Sequence, residues 1–342
     1  MDDKIRVAVI GCGYWGPNLI RNFNQLDSAN LDYACDIDNA KIESIKKIYP
    51  NIKITRDYQE ILRDPEISAV VLALPVSEHY KVARDSLLAG KHVLVEKPMT
   101  SNVEEAKELI RIAKEKNKML MVDHTFEYSE AINRIKKIVE SGELGELFYI
   151  RAEWLNLGLL QPDINVLWDL APHIISTIIY ITGFKPKSLN AKAEGHIRGD
   201  IPEVAQVNIK FYGGLSAYFT TSWLEPKKTR SMTIVGSKKL LIYDLTNTEE
   251  PIKIYDKNVE LIQDEDIRQR RMNYKYGDIV SPSIKNIEPL SVMCKHFIEC
   301  IKTNKQPTSN GESGLRVVKV LEATERSMKN QGKEIILDED IL

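Results

Sequence analysis

Three stretches hold residues whose types and spacing could do chemistry: Gly11-Cys12-Gly13-Tyr14-Trp15-Gly16, Glu96-Lys97-Pro98, and the pair Asp169 and His173. The first is a G-x-G-x-x-G pattern between an apolar run, Ile5 to Ile10, and a helical pattern carried by Leu19, Ile20 and Phe23. In that setting Gly11 permits a tight turn, Gly13 lets backbone approach a pyrophosphate, and Gly16 lets a helix pack close to the strand. Pro17 suits a first helical turn, where its missing N–H would be unpaired anyway. A helix starting there offers free N–H groups and the positive end of its dipole to a phosphate. A second strand, Leu31 to Cys35, ends in Asp36, about 20 residues after Gly16, where the ribose-binding acid of a dinucleotide fold is expected. No Arg follows in Asp36-Ile37-Asp38, so a free 2′-hydroxyl is favoured over a 2′-phosphate, which points to NAD rather than NADP.

Lys97 follows the apolar strand His92 to Val95 and precedes a proline. A lysine at a strand end is commonly a surface residue; at the ligand edge of a parallel sheet its ammonium would instead enter the cleft between domains. Asp169 and His173 are four apart on a strongly apolar helix and share one face. A lone histidine there is often a satisfied core group, but an Asp and a His on one face suit proton transfer, and imidazole titrates near neutrality.

The elements that must position these groups are legible as alternation. Helices Ala40 to Tyr49, Asp57 to Leu62, Glu78 to Ala89 (with Ser77 as cap and Gly90 as stop) and Ser101 to Lys116 (opened by a capping box) alternate with strands Ile52 to Ile54, Ile67 to Leu74, His92 to Val95 and Met119 to Val122. This predicts an α/β fold, a doubly wound parallel Rossmann sheet. Ligands bind beyond the carboxyl ends of such strands, which adds Leu74, Pro75, His79, Glu96 and His124 to the cofactor candidates. Further on come a helix, Tyr128 to Ser141, a strand, Leu147 to Trp154, a loop over 156–165, the helix Val166 to Thr182, hairpins around Gly213-Gly214 and Gly236-Ser237, and two closing helices. The second half thus reads as an α+β domain with a large, mainly antiparallel sheet, and residues from about 248 to 285 as an irregular polar arm or lid. The expected division is 1–123 for the dinucleotide domain and 124–342 for a substrate-binding and oligomerisation domain.

With 342 residues, 43% hydrophobic and 28% charged, the chain has the make-up of a globular protein of two domains. A net charge of −2 argues against nucleic acid or an anionic membrane as main partner. Cys12, Cys35, Cys294 and Cys300 form no C-x-x-C pair, which points to reduced thiols rather than a disulfide frame or metal site. The chain enters a strand at once and has no apolar run long enough to span a bilayer, so a cytoplasmic protein without a signal peptide is expected.

The glycine turn G-C-G-Y-W-G, Glu96-Lys97-Pro98 and a later D-x-x-x-H helix together resemble the glucose-fructose oxidoreductase/inositol dehydrogenase (Gfo/Idh/MocA) family over nearly the whole chain. The resemblance implies an NAD(P)-dependent oxidoreductase acting on a hydroxyl of a sugar, cyclitol or sugar nucleotide. It implies that Lys97 orients the reacting hydroxyl, that Asp169 hydrogen-bonds the substrate and that His173 is the acid/base. Two segments depart from the family pattern: Asn165-Val166-Leu167-Trp168 replaces a glycine-rich lead-in, and Asp123-His124-Thr125-Phe126 replaces an Arg-containing segment.

The wording G-Y-W-G-P-N-L-x-R-N-F with W-D-L-x-P-H is similar to a subgroup linked with sugar nucleotides and surface polysaccharides. That implies oxidation at C3 of UDP-N-acetylglucosamine or its uronic acid. A diphosphate would need cations, for which Arg151, Lys227, Lys228 and Arg230 are candidates, and Tyr128, Trp154, Trp168 and Trp223 offer aromatic surface, with Asn165 nearby. A free-sugar or inositol dehydrogenase is the enzyme alternative, and a non-catalytic NAD-binding regulator the other. Ala205, Val207, Ile209 and Phe211 alternate on one sheet face, which predicts an exposed apolar surface that a second subunit would bury, and the resemblance implies a homodimer or homotetramer.

Overall fold

The structure is a computed structural model describing residues 4–161, 164–262 and 271–337. The chain forms two compact units, Met1–Tyr128 with Ile287–Lys319, and Ser129–Asn286 with Val320–Leu342. The first unit therefore runs five residues past Asp123 and takes back a later segment, a return that no local sequence signal marks.

The first unit alternates β1 (Ile5–Ile10), α1 (Gly16–Asn24), β2 (Ala29–Cys35), α2 (Asn39–Ile48), β3 (Lys53–Thr55), α3 (Tyr58–Arg63), β4 (Ala69–Leu72), α4 (Val76–Leu88), β5 (His92–Val95), α5 (Val103–Lys116) and β6 (Leu120–Val122). The sheet order is β3-β2-β1-β4-β5-β6 and every pairing is parallel. Strand order reverses beside β1, which leaves a crevice at the carboxyl ends of the strands. Val7, Val9, Val70, Val71, Leu72, Val93 and Val95 are fully buried, as helices on both faces demand. The returning helix Pro289–Thr303 packs Phe297 edge-on against Phe23 of α1, ring centroids 6.4 Å apart.

Short-range chemistry sets the helix starts. Asp38 and Asp57 accept from Ala40 N and Gln59 N at the starts of α2 and α3. Two expected caps differ. Asn102, not Ser101, caps α5 by accepting from Glu105 N at 2.9 Å, while Ser101 Oγ donates to Glu105 Oε2. α4 begins behind Pro75 with no side-chain cap, so Ser77 already lies inside its first turn.

The second unit holds α6 (Glu130–Glu140), β7 (Leu147–Leu157), α7 (Val166–Thr182), β8 (Pro186–Glu194), β9 (Val204–Phe211), β10 (Ser216–Ser222), β11 (Leu224–Gly236), β12 (Leu240–Asp244), β13 (Ile252–Ile262), β14 (Arg271–Val280) and β15 (Ile335–Ile336). They form one sheet in the order β14-β13-β12-β11-β7-β10-β9-β8-β15, antiparallel except for β7 with β10. β9 and β10 are joined through Gly213 and Gly214, at φ +89° and +92°, a conformation only glycine adopts freely at both places.

Two expectations fail here. Ala205, Val207, Ile209 and Phe211 are buried within the chain itself, on the sheet face that meets α7, so they are not an exposed association surface. Period-two alternation marks a covered face but not what covers it. The opposite face exposes Tyr149 and Tyr218, in edge contact at 6.1 Å. The stretch read as an irregular arm is the antiparallel pair β13–β14, whose intervening residues lie outside the described ones. Tyr274, Tyr276, Ile279 and Val280 are exposed among polar neighbours, so these strands lack the one-sided apolar rhythm that reveals a half-buried strand.

Candidate active site

At the carboxyl end of β1 the backbone turns through Gly11, at φ +101°. A Cβ on Gly11 would lie 2.1 Å from the Ala73 carbonyl oxygen, and one on Gly16 the same distance from Gly11 O. Both glycines are thus required by close backbone packing. A Cβ on Gly13 would meet nothing within 4 Å, so that position faces open space where a phosphate could approach. Tyr14 is 88% exposed beside it, and Pro17 sits in the first turn of α1. Asp36 closes β2 and accepts from Cys12 N at 2.7 Å and Asp38 N at 2.9 Å, which fixes the carboxylate against the glycine turn. Ile37 is exposed, and Arg56 Nε donates to its carbonyl at 3.0 Å. Burial raises the Cys12 thiol to about 12, with Asp36 adding to the effect, so this cysteine is a packing residue with Sγ beside Cys35 O.

The neighbouring loops are tied together from within. His79 is buried, with Nδ1 2.8 Å from Pro98 O and Nε2 2.8 Å from Leu74 O. It braces the Leu74-Pro75 and Lys97-Pro98 loops rather than reaching out toward a ligand. Asp123 is buried and accepts from Trp15 Nε1 at 3.2 Å and from Thr125 Oγ1. Glu96 accepts from Lys97 N at 3.2 Å, while its Oε1 is buried and receives no N–H or O–H. Burial, and next the Asp123 carboxylate, push the Glu96 carboxyl well above the ordinary range. Both Asp123 oxygens accept from other groups, and the Asp123 charge adds to the burial that favours the neutral form of Glu96. Asp123 thereby joins the glycine turn, the Lys97 loop and the end of β6.

In the second unit Asn165 caps α7, accepting from Leu167 N at 3.0 Å and Trp168 N at 3.1 Å. That start sets the phase that puts Asp169 and His173 one turn apart on a partly exposed face. Trp223 is buried and donates Nε1 to Asp169 Oδ2 at 3.1 Å. Arg230 on β11 is half-buried, and burial lowers its guanidinium against the opposing pull of Asp169. A second guanidinium, Arg198, lies 5.5 Å from the Trp223 ring and 3.5 Å from Glu203. Burial opposes ionisation of Glu203, but the N–H groups of His196, Ile197 and Arg198 outweigh it and hold the carboxyl below its usual range.

Several candidates take other places. Tyr128 is buried in the first unit, with its hydroxyl 3.0 Å from Ser309 Oγ and its ring against His296, so it is a core residue and not part of a sugar platform. His124 points into the same interior, with Nδ1 3.1 Å from Glu127 Oε1. Trp154, Trp168 and Trp223 are buried, so none offers an open ring face. Arg151 alternates out of phase with Ile150, Ala152 and Trp154, which turns it to the sheet face opposite α7, away from Asp169. Lys227 and Lys228 are exposed on β11. The first unit thus brings together Gly11, Gly13, Gly16, Asp36, Glu96 and the Lys97 loop, and the second Asn165, Asp169, His173, Trp223 and Arg230.

The model of the oxidoreductase family with an NAD-binding Rossmann fold, GFO_IDH_MocA, matches residues 5–124, and that of the GFO/IDH/MocA C-terminal domain matches residues 132–242. The chain belongs to the Gfo/Idh/MocA oxidoreductase family. Among its relatives is scyllo-inositol 2-dehydrogenase (NADP(+)) IolW of Bacillus subtilis, 24% identical over 96% of this chain and 95% of the relative. Among solved structures, UDP-N-acetylglucosamine 3-dehydrogenase GnnA from Acidithiobacillus ferrooxidans shares the fold at a TM-score of 0.80 and 21% identity, over 96% of this chain and 98% of that one. GenD2 from gentamicin A biosynthesis, solved in complex with NAD, does so at 0.83 and 20%, over 98% and 97%. The reading of the glycine turn as a dinucleotide-binding element is the family's own, and the open ground at Gly13 beside the anchored Asp36 fits such a cofactor.

Residue-by-residue reading missed Arg56, Asp123 as a hub, and the Arg198–Glu203 pair. Arg56 follows β3, which lies beside β2 at its carboxyl end, so strand order was the signal for it. Asp123 was visible as a departure from the family pattern. Nothing local connects Arg198 to Trp223.

Proposed function

We propose that this chain is an NAD-dependent dehydrogenase that oxidises a secondary hydroxyl, at C3, of a sugar nucleotide such as UDP-N-acetylglucosamine or its uronic acid. The observation that carries it is the Asp169–His173 pair, one helical turn apart on a face kept partly open, with Asp169 oriented by Trp223. Alcohol oxidation removes a proton from oxygen and a hydride from carbon. The bound nicotinamide supplies the hydride acceptor. In this reading the Lys97 ammonium orients the hydroxyl and stabilises charge growing on its oxygen, Asp169 fixes a neighbouring hydroxyl, and His173 accepts the proton. Asp36 supports NAD over NADP because its fixed carboxylate would repel a 2′-phosphate.

Oxidation of a free sugar or inositol is the second reading, favoured by the full-length likeness to IolW. Arg56, beside the Ile37 carbonyl, is the cation through which NADP could enter that reading. The test is the near-ultraviolet absorbance of reduced nicotinamide with NAD or NADP and UDP-N-acetylglucosamine, its uronic acid, glucose or myo-inositol. Reduction of NAD by a nucleotide sugar alone supports the lead reading; reduction by glucose or myo-inositol replaces it.

A further inference from the structure

Arg198 and Arg230, both half-buried in the second unit, differ in how their charge is met. Arg198 has Glu203 at 3.5 Å, so that pair is neutral within the protein. Arg230 has no such partner: among the described residues it makes no ion pair. Its Nη1 donates to the carbonyls of Leu155 at 3.0 Å and Thr229 at 2.9 Å, and its Nη2 to Asn156 Oδ1 at 2.6 Å. All three acceptors are neutral. Holding an unpaired cation out of water is costly, and proteins that do so commonly use it to meet a charge brought from outside.

Placement says which ligand would bring that charge. Arg230 shares the parity of Met232 and Ile234 along β11, so it belongs to the sheet face that meets α7. Across the strand pair it stands opposite Trp154 of β7. The Asp169 carboxylate acts on its charge, and Asp169 is itself held by Trp223. The cation therefore lies on the same face as the residues assigned to the substrate. The segment Leu224 to Thr229 leaves the β7 register before Arg230, so the backbone bulges where the guanidinium is anchored.

We propose that Arg230 is a substrate-binding residue that takes an oxyanion of the substrate, a sugar carboxylate or a phosphate of the nucleotide. This rests on the nucleotide-sugar reading for its choice of ligand. The planar fork, already fixed by Leu155, Thr229 and Asn156, is pre-organised, so binding an oxyanion would cost little further ordering.

Calorimetric titration of the full chain, wild type and R230Q, with NAD present tests it, using UDP-N-acetylglucosamine, its uronic acid and D-glucuronate as probes. The glutamine keeps a hydrogen-bonding side chain and removes the charge. R230K restores the charge without the fork, and thermal melting reports whether either variant still folds. The expected result is about 10- to 100-fold weaker binding in R230Q, the size of a lost charge-assisted hydrogen bond, with partial recovery in R230K. A loss confined to the two uronates assigns the carboxylate; a loss on both nucleotide sugars and not on D-glucuronate assigns the phosphate. Equal binding by folded R230Q, or no binding of any probe by the wild type, overturns the proposal. NAD reduction by the wild type, measured in parallel, judges the dehydrogenase reading separately: turnover of a nucleotide sugar with unchanged R230Q binding sinks the inference and leaves the reading standing.

Discussion

The cofactor edge of the first unit and the α7 face of the second are built by opposite means. The first is a matter of backbone and neutral closure. Gly11 and Gly16 pack against carbonyl oxygens, Asp36 is held by two N–H groups, and burial favours the neutral form of Glu96. The second relies on side chains whose facing is chosen by strand register and helix phase, and among the described residues it leaves a cation, Arg230, without an ion pair. An edge that receives a cofactor common to many enzymes can be rigid and self-satisfied. In the proposed reading, the face that meets the substrate keeps an unmet interaction for the ligand to complete.

The comparison breaks most visibly at the groups proposed to react. K97M and H173A should each lower turnover by about 10²- to 10⁴-fold while NAD affinity, measured by fluorescence titration, stays within a few-fold. Loss of NAD binding of the same size would move Lys97 from chemistry to cofactor anchoring.

The glycines sharpen the backbone half. Gly16→Ala should destabilise the fold by about 3 kcal/mol or more, since its Cβ would sit 2.1 Å from Gly11 O. Gly13→Ala should melt within a few degrees of the wild type and still bind NAD less well, because its Cβ enters only the open ground. Equal stability losses at both would contradict the division of roles.

The next effect is a pH slope. Glu96 binds its proton more tightly folded than unfolded, so the native state holds more protons above the ordinary glutamate range, and stability must fall as pH rises through that window. E96Q mimics the protonated acid. Relative to E96Q, the wild type should lose about 1.4 kcal/mol per pH unit above pH ~5 in chemical denaturation, until Glu96 ionises in the folded protein. Parallel pH profiles would show that burial does not raise the Glu96 carboxyl. Smaller still, Y128F should cost about 1 kcal/mol by removing the Ser309 contact, with no change in substrate KM. R151A should alter neither stability nor KM, since its side chain stands exposed on the sheet face opposite α7.

How much of this was legible follows the same line. G-x-G-x-x-G, Asp36 and the alternating strands were readable because each is a local rule about backbone conformation or spacing, whereas the order β3-β2-β1-β4-β5-β6 is set by packing. Helix α7 was readable to the residue because Asn165 caps it and Gly183 ends it at φ +67°. The return of Ile287–Lys319 to the first unit was not, since only packing partners such as Phe23 with Phe297 record it. Tyr128 and the tryptophans were misread for one reason: an aromatic residue is equally at home in a core or on a sugar, and composition does not say which. Arg151 and Arg230 look alike in sequence; the pairing of β7 with β11 separates them.

The most direct test of the central claim follows the hydride itself. UDP-N-acetylglucosamine or its uronic acid, deuterated at C3, is incubated with the protein and NAD, and the nicotinamide product is examined by mass spectrometry. The account predicts reduced cofactor carrying deuterium, formed by the wild type and lost in H173A. Unlabelled reduced cofactor, or none while myo-inositol or glucose reduces it, would contradict the assignment of this chain to C3 of a sugar nucleotide.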